Sequence, residues 1–577
     1  MLERRRYDSI QVLRDSKQPL ESSKKERLVI AAIGVAVGFG CIVRAFHVLS
    51  ADFPLNDGGL FYVMVQELQR SHYRLPDFTS YNASSIAYAY PPFGLYVAGM
   101  LDDITPLTLM DVFRFLPLVV STLTIIAFYC LASSMLKKDE TVVAAVFAFA
   151  LIPRSFIWLA MGGGITRSFG FLFAILTLYY VHRLYTTSEA RYVIGATMCA
   201  GLTALSHVGT VPFLAFSILV LLLFYGRHKA ALMHSCVVAI GTLIVTAPWW
   251  VTVIAMHGVE PFQAAGATGG SVFSESEARR AVIGVLARLG VGSSTGGSTG
   301  EPVFPLIGTF AFLGALYSVI TRKWALVSWW LAIILLDVRA GATYATVPIA
   351  MLAGIGMTRV FYPLLNFRGP VNGIEREPVR VDPVLSLSLK KTGRHLRRHA
   401  FKSVVLIFLL CYAALSGVAK HPSFTSDLNY LVALSDVERT AIHLAGAATG
   451  PSSRFLVLPE SQWSPWQADK TSEWFPALTG RTSVATVQGA EWLPGGRFKE
   501  ARQNWKSLKN CQSAVSSCLD QWSKTTRIQF THVYVPQPPS LTEDSGLCCR
   551  LLIQSLKTDP RYDIMYDGPG AVVFVRR

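Results

Sequence analysis

Charged residues are scarce in this sequence: of 577 residues only 16% are Asp, Glu, Lys or Arg, whereas 51% are hydrophobic. The apolar residues collect into runs of about 18 to 25, the length a helix needs to cross a bilayer. No polar segment carries a basic stripe with interleaved aromatics, so the net charge of +16 is not a nucleic-acid footprint. No internal repeat is visible, and a transporter often shows one. No small-residue cleavage site closes the first apolar run, Leu28 to Leu49, which follows a basic segment including Arg4, Arg5, Arg6, Lys24, Lys25 and Arg27. It reads as a retained first helix rather than a signal peptide. Cysteines number nine, of which Cys41, Cys130, Cys199, Cys236 and Cys411 sit in apolar runs as small fillers. Cys511, Cys518, Cys548 and Cys549 lie in the polar tail, where one or two disulfides or unpaired structural thiols are the alternatives; no His or carboxylate spacing beside them argues for zinc.

What is present is a regular succession of spans. They are expected near 28–50, 110–136, 141–160, 165–185, 192–207, 209–225, 232–256, 302–320, 324–338, 342–363 and 403–419. With the amino terminus cytoplasmic, eleven crossings place Lys137 and Lys138, Arg183 and Arg191, Arg227 and Lys229, Arg322 and Lys323, and the basic segment 364–402 all inside, as the positive-inside rule requires. Counting "PPFGLYVAGML" (Pro91 to Leu101) as a span would put each cluster outside. That segment is too short to cross and opens with two prolines, so it reads as an in-plane interfacial helix. The expected fold class is therefore an α-helical polytopic membrane protein of about 11 spans with a C-terminal extracytoplasmic α/β domain. The expected parts are a basic cytoplasmic N-terminus (1–27), a transmembrane domain (28–419) with extracytoplasmic loops 51–109 and 257–301, and a soluble domain (420–577). In the last, "RFLVLP", "FTHVYVP" and "AVVFVRR" look like strands and "SDVERTAIHLAGAA" like a helix. The expected location is the plasma membrane, or the endoplasmic reticulum membrane in a eukaryote.

The stretch "DFPLNDGGLFYVMVQELQ", Asp52 to Gln69, starts where the first run stops. A carboxylate at the outer end of a span serves either as a helix cap or in a pathway or reaction. With "AYPPFGLYVAGML" and "DVFRFLPLVVSTLTIIAFYCLA" downstream, the segment resembles the front of the GT-C integral-membrane glycosyltransferases, a group that includes protein mannosyltransferases, the aminoarabinose transferase and the oligosaccharyltransferase catalytic subunit. Asp57, Pro91, Pro92, Arg114 and Pro117 match that pattern, and the likeness covers about the first 350 residues. Where many relatives have Asp-Glu this chain has Asp57-Gly58, and Tyr90 replaces a Lys before the prolines.

The resemblance implies a transfer of sugar from a polyprenyl-phosphate donor, with inversion, to a hydroxyl of a glycan, lipid or protein acceptor at the extracytoplasmic face, among membrane lipids and without nucleic acid. Asp57 is the expected catalytic base. "GGGITRSFGFLF" resembles an oligosaccharyltransferase Ser-Arg-Ser stretch but lacks the acidic metal motif after it; Arg167 there is either a phosphate ligand or a snorkelling cation. Arg339 in "LDVRAGATYATVPIAMLAGIG" is the expected donor-phosphate contact, or else a structural partner of Asp337, with Tyr344 nearby. His207 either bonds substrate or closes a helix end. Glu275 and Glu277 belong to a Gly-rich loop that is either a lid or simply solvated. Trp463, Trp466 and Trp474 form either a sugar-stacking surface or ordinary core. With one clear carboxylate, transfer without a metal is expected; a divalent cation (Mg or Mn) held by Asp57 and a loop Glu is the alternative. A transporter or flippase for lipid-linked glycans, or a non-catalytic envelope-glycan-binding relative, are the rival classes.

Overall fold

The computed structural model describes residues 2–268, 299–301, 304–336, 341–365, 403–419, 431–461, 465–537 and 549–577. The membrane part begins with α1 (Leu2–Leu49), α2 (Gly59–Arg70), α3 (Phe93–Ile104), α4 (Leu109–Met135), α5 (Asp139–Leu151) and α6 (Gly164–Thr187). It continues with α7 (Arg191–Ser206), α8 (Val211–Tyr225), α9 (Lys229–His257) and α10 (Glu260–Ala267), followed by apolar helices Leu306–Ile320, Ala325–Leu336, Thr346–Ile355 and Ser403–Val418. Among the described residues six helices are long and apolar enough to cross a bilayer: Lys25–Leu49, Leu109–Met135, Gly164–Thr187, Val208–Tyr225, Lys229–His257 and Gly341–Leu364. Helices Leu306–Ile320, Ala325–Leu336 and Ser403–Val418 are apolar but shorter.

The expected span 141–160 is interrupted. Helix α5 stops at Leu151 because Pro153 follows, with no N–H to continue the ladder and a steric bias against helix at the residue before it. Arg44 of α1, fully buried, donates to the Ala150 carbonyl at 2.7 Å and to Ser155 Oγ at 3.3 Å, covering the helix end that the proline leaves open. The chain from Ile152 to Gly163 then runs as irregular, mostly buried backbone apart from a short turn of 3-10 helix at Pro153–Ser155. That detour is what carries Trp158, Gly162 and Gly163 toward Asp57.

The segments read as interfacial are helices: α2 buries Gly59, Leu60, Met64, Val65 and Leu68 on one face, and α3 starts directly after Pro92. A two-stranded ribbon, β1 (Phe78–Thr79) with β2 (Ile86–Ala87), joins them.

In the tail, β3 (Arg454–Val457), β4 (Thr482–Ser483), β5 (His532–Gln537), β6 (Tyr562–Gly568) and β7 (Gly570–Arg576) form a mixed sheet of order β4-β3-β5-β7-β6. β3 is parallel to β4 and β5; β7 is antiparallel to β5 and β6. The period-2 alternation sends Leu456, Val533, Val535, Val572 and Phe574 to one face, against Leu508, Leu519, Leu552 and Leu556 of three tail helices. Phe455, Val457, Tyr534, Ala571 and Val573 point the other way and share a core with Phe53, Leu60, Met64 and Val65 of the loop after α1. The sheet is thus packed onto the loop that follows the first span. Cys511 and Cys518 form a disulfide with Cα atoms 5.6 Å apart, and Cys548 lies outside the described residues.

Candidate active site

The backbone of the Asp57 loop is set by its own residues. Asn56 has φ 52°, a left-handed conformation that Asn tolerates, and Gly58 has φ 129°, open in practice only to Gly. Two straps hold the loop: Asn56 N–H donates to Val432 O at 2.8 Å, and Gly162 N–H to Leu55 O at 2.9 Å. The close approach explains the glycines across from it. A Cβ on Gly162 would lie 2.0 Å from the Asp57 carbonyl oxygen.

The Asp57 side chain, 15% exposed, faces Arg167 on the first turn of α6. Arg167 Nη1 donates to Oδ2 at 2.6 Å and Nη2 to Oδ1 at 2.9 Å, while Gly163 N–H donates to Oδ1 at 2.9 Å. The guanidinium is steered by its Nε bond to Trp158 O at 3.0 Å and lies 5.5 Å from the centre of the Trp158 ring. Such a bidentate pair fixes orientation as well as charge.

The tail supplies the next member. Helix Lys470–Thr479 is capped by Asp469, which accepts from Ser472 N–H, and stops at Gly480 with φ 64°. Pro476 cannot bond the Ser472 carbonyl, which accepts from Thr486 Oγ1 at 2.8 Å instead. Lys470, buried, donates to Glu438 at 2.8 Å and Glu460 at 2.7 Å, anchoring this helix to Asp436–Ala447. One turn on, Glu473 Oε1 accepts from Gly58 N–H at 2.7 Å. Glu473 is 6% exposed, and burial together with the Asp57 charge pushes its carboxyl up to about 8. A second carboxyl therefore stands beside Asp57, 415 positions away along the chain from the glycine that it contacts.

Trp474 is fully buried; its Nε1–H donates to Asn56 O at 2.9 Å and its ring packs edge-on against Phe53 at 4.7 Å. It locks the loop to the tail and offers no face for a sugar to stack on. Trp466 is half-buried against Phe498, and Trp463 lies outside the described residues. His207 Nδ1 is 3.0 Å from Thr210 Oγ1, which is 2.9 Å from the Tyr344 hydroxyl. Gly170, three residues past Arg167 on α6, admits this group closely: a Cβ there would sit 2.8 Å from His207 Cβ. One face of α6 thus carries both the Asp57–Arg167 pair and the His207–Thr210–Tyr344 chain. Tyr344 is 4% exposed and stacks on Phe213 at 4.5 Å. Arg339, Asp337, Glu275 and Glu277 lie outside the described residues. A polar cleft of about 270 Å³ between the Asn82–Ile86 turn and the β4 end does not include Asp57, Arg167 or Glu473.

A family profile described as dolichyl-phosphate-mannose-protein mannosyltransferase matches residues 89–251, a range that holds Arg167 and His207 but not Asp57. Among solved structures, the oligosaccharyltransferase AglB of Archaeoglobus fulgidus, in complex with an inhibitory peptide and a dolichol-phosphate, superposes with a TM-score of 0.55 at 15% identity, over 89% of this chain and 70% of that one. The fold is that of the GT-C glycosyltransferases. The same GT-C architecture relates the chain to the arabinofuranosyltransferase AftD of Mycobacteria (TM-score 0.52, 13% identity, 95% of this chain and 40% of that one). ArnT of Cupriavidus metallidurans in the apo state gives 0.50 at 13% identity, over 94% and 98%. No curated protein matches by sequence. The sequence alone named Asp57 and Arg167 separately as candidates, with the backbone amides of the Gly-rich turn beside Arg167; it missed Glu473, because nothing in the order of residues ties the tail to Asp57, and Thr210, which bridges His207 and Tyr344.

At the candidate site Asp57 is already paired with a cation, Arg167. Among the described residues no three His, Cys, Asp or Glu side chains gather to hold a metal, and a cation at Asp57 would have to displace Arg167.

Proposed function

We propose that this chain is an inverting glycosyltransferase that moves a sugar from a polyprenyl monophosphate to an acceptor hydroxyl at the extracytoplasmic face, without a metal ion. The observation that carries the reading is the Asp57–Arg167 pair with Glu473 beside it, built on the loop after the first span of a GT-C fold. A donor of this kind stays in the bilayer, so its anomeric carbon lies at the interface, where a loop directly after a span can reach it. The acceptor oxygen attacks that carbon, a carboxyl of the site takes its proton, and the bond to phosphate breaks. Charge grows on the departing phosphate, and fixed cations there stabilise the transition state more than the ground state. Arg167 supplies one cation at the site, and Arg339 is assigned the phosphate contact. Eleven spans, a cytoplasmic amino terminus and a tail outside the membrane complete the proposal.

The test uses the full-length protein in liposomes, radiolabelled undecaprenyl-phosphate sugars and a crude envelope fraction as acceptor. Transfer to the acceptor, with inverted anomeric configuration by NMR, is the expected result. Movement of the labelled lipid between leaflets with no transfer overturns the reading in favour of a flippase.

A further inference from the structure

We propose that Glu473, brought by the tail helix into the loop that holds Asp57, is the general base of the transfer reaction, while Asp57 serves to hold Arg167 in place; this assignment rests on the glycosyl-transfer reading above. Both Asp57 oxygens are engaged, by two bonds from Arg167 and one from Gly163. A proton arriving there would cancel the negative half of a pair whose side chains are only 15% and 19% exposed, leaving the guanidinium without its counter-charge. Glu473 is arranged differently. Its Oε1 accepts a single bond from Gly58 N–H, and among the described residues its Oε2 has no hydrogen-bond partner. The carboxyl faces Asp57 from the loop, Arg167 from α6 and Glu491 from the segment after β4, while Tyr81 donates to the Glu473 carbonyl at 2.7 Å.

The reaction balances with Glu473 as the acceptor of the proton. Ionised Glu473 removes the hydroxyl proton onto Oε2 as the acceptor oxygen bonds to the anomeric carbon. The carbon–oxygen bond to phosphate breaks, its electron pair leaving with the polyprenyl phosphate, and neutral Glu473 then returns the proton to water. A base is most effective when it exchanges its proton near working pH, and burial beside Asp57 pushes this carboxyl up to about 8. The geometry also makes the tail a contributor to the reaction centre itself, because the base enters only when helix Lys470–Thr479 is docked on α2.

The experiment is a pH–rate profile of the full-length protein with an undecaprenyl-phosphate sugar donor. Expected is a wild-type kcat/KM that rises roughly tenfold per unit to a midpoint near 8 and then levels. Glu473→Gln, which keeps the oxygen that accepts from Gly58, is expected to lose at least about 100-fold and to lose that limb. Undecaprenyl phosphate binding by Glu473→Gln, unchanged from wild type, shows that the site is assembled. If the Gln variant does not fold, the wild-type profile decides: absence of a limb between pH 7 and 9 overturns the assignment. A folded Glu473→Gln protein with the wild-type rate and profile overturns it as well. A wild type inactive with every donor overturns the transfer reading itself, a result distinct from either.

Discussion

Arg167 and Asp57, 110 residues apart in the chain, meet through two parallel hydrogen bonds of 2.6 and 2.9 Å. Neither side chain is free to act alone: the cation sets the orientation of the carboxylate, and the carboxylate offsets a guanidinium that burial would otherwise penalise.

Asp57→Asn removes that counter-charge. Transfer is expected to fall by about 100-fold, the scale of losing one group that stabilises transition-state charge, because Arg167 loses the carboxylate that holds it. Undecaprenyl phosphate binding should hold or tighten, since Arg167 gains net positive field. Asp52→Asn is the control: Asp52 is 65% exposed and paired with Arg439 at 2.6 Å, so its loss should change transfer less than twofold on the ~0–1 kcal/mol scale of surface pairs. Initial rates and binding isotherms check each arm.

Stability should fall with rising pH across the window from about 4.5 to 8. Glu473 has an ordinary value of 4.5 and a folded value of about 8, so the folded state binds the extra proton; the contribution is complete below 4.5 and lost as pH climbs through 8. Asp469, raised by burial to about 6, acts in the same direction at lower pH. Thermal unfolding of wild type and Glu473→Gln in one detergent checks the sign: the variant should show the shallower decline.

Gly162→Ala is expected to disrupt the loop without altering any side chain of the site. The added Cβ would meet the Asp57 carbonyl oxygen at 2.0 Å, so backbone must move at a cost of about 1–3 kcal/mol. Loss of transfer with retained overall fold, measured by activity and circular dichroism, is the outcome.

The tail disulfide is directly checkable. Tryptic peptides from unreduced protein should contain a cross-link between Cys511 and Cys518, and Cys511→Ser should cost about 2 kcal/mol, as expected for a short closed loop. Free thiols at both positions in protein prepared under oxidising conditions would remove the pairing.

Topology is the remaining prediction. Single cysteines near Asp77 and Gly480 should react with an impermeant reagent from outside, and one at Arg380 should not. External labelling at Arg380 would invert the arrangement of every loop and place the site on the wrong face for the proposed donor.

The sequence by itself determined what is local. Apolar runs marked the long spans, period-2 alternation marked β3, β5 and β7, and the Asp-Gly-Gly after the first run marked a tight loop ahead of a helix, because helix length, strand alternation and left-handed backbone each follow from neighbours a few residues away. Pro153 was equally visible, yet the apolar run continues past it and hid the end of α5. What only the tertiary structure decided is which side chains meet Asp57. Arg167 arrives because irregular buried backbone after α5 turns α6 toward the loop, and Glu473 because the tail sheet buries an apolar face on the same loop. Trp474 shows the same dependence: read as a sugar platform or as core, it became core because its indole reaches the Asn56 carbonyl. Contacts that span more than a hundred residues are set by how whole apolar surfaces pack, and that choice is not written in any short stretch of the chain.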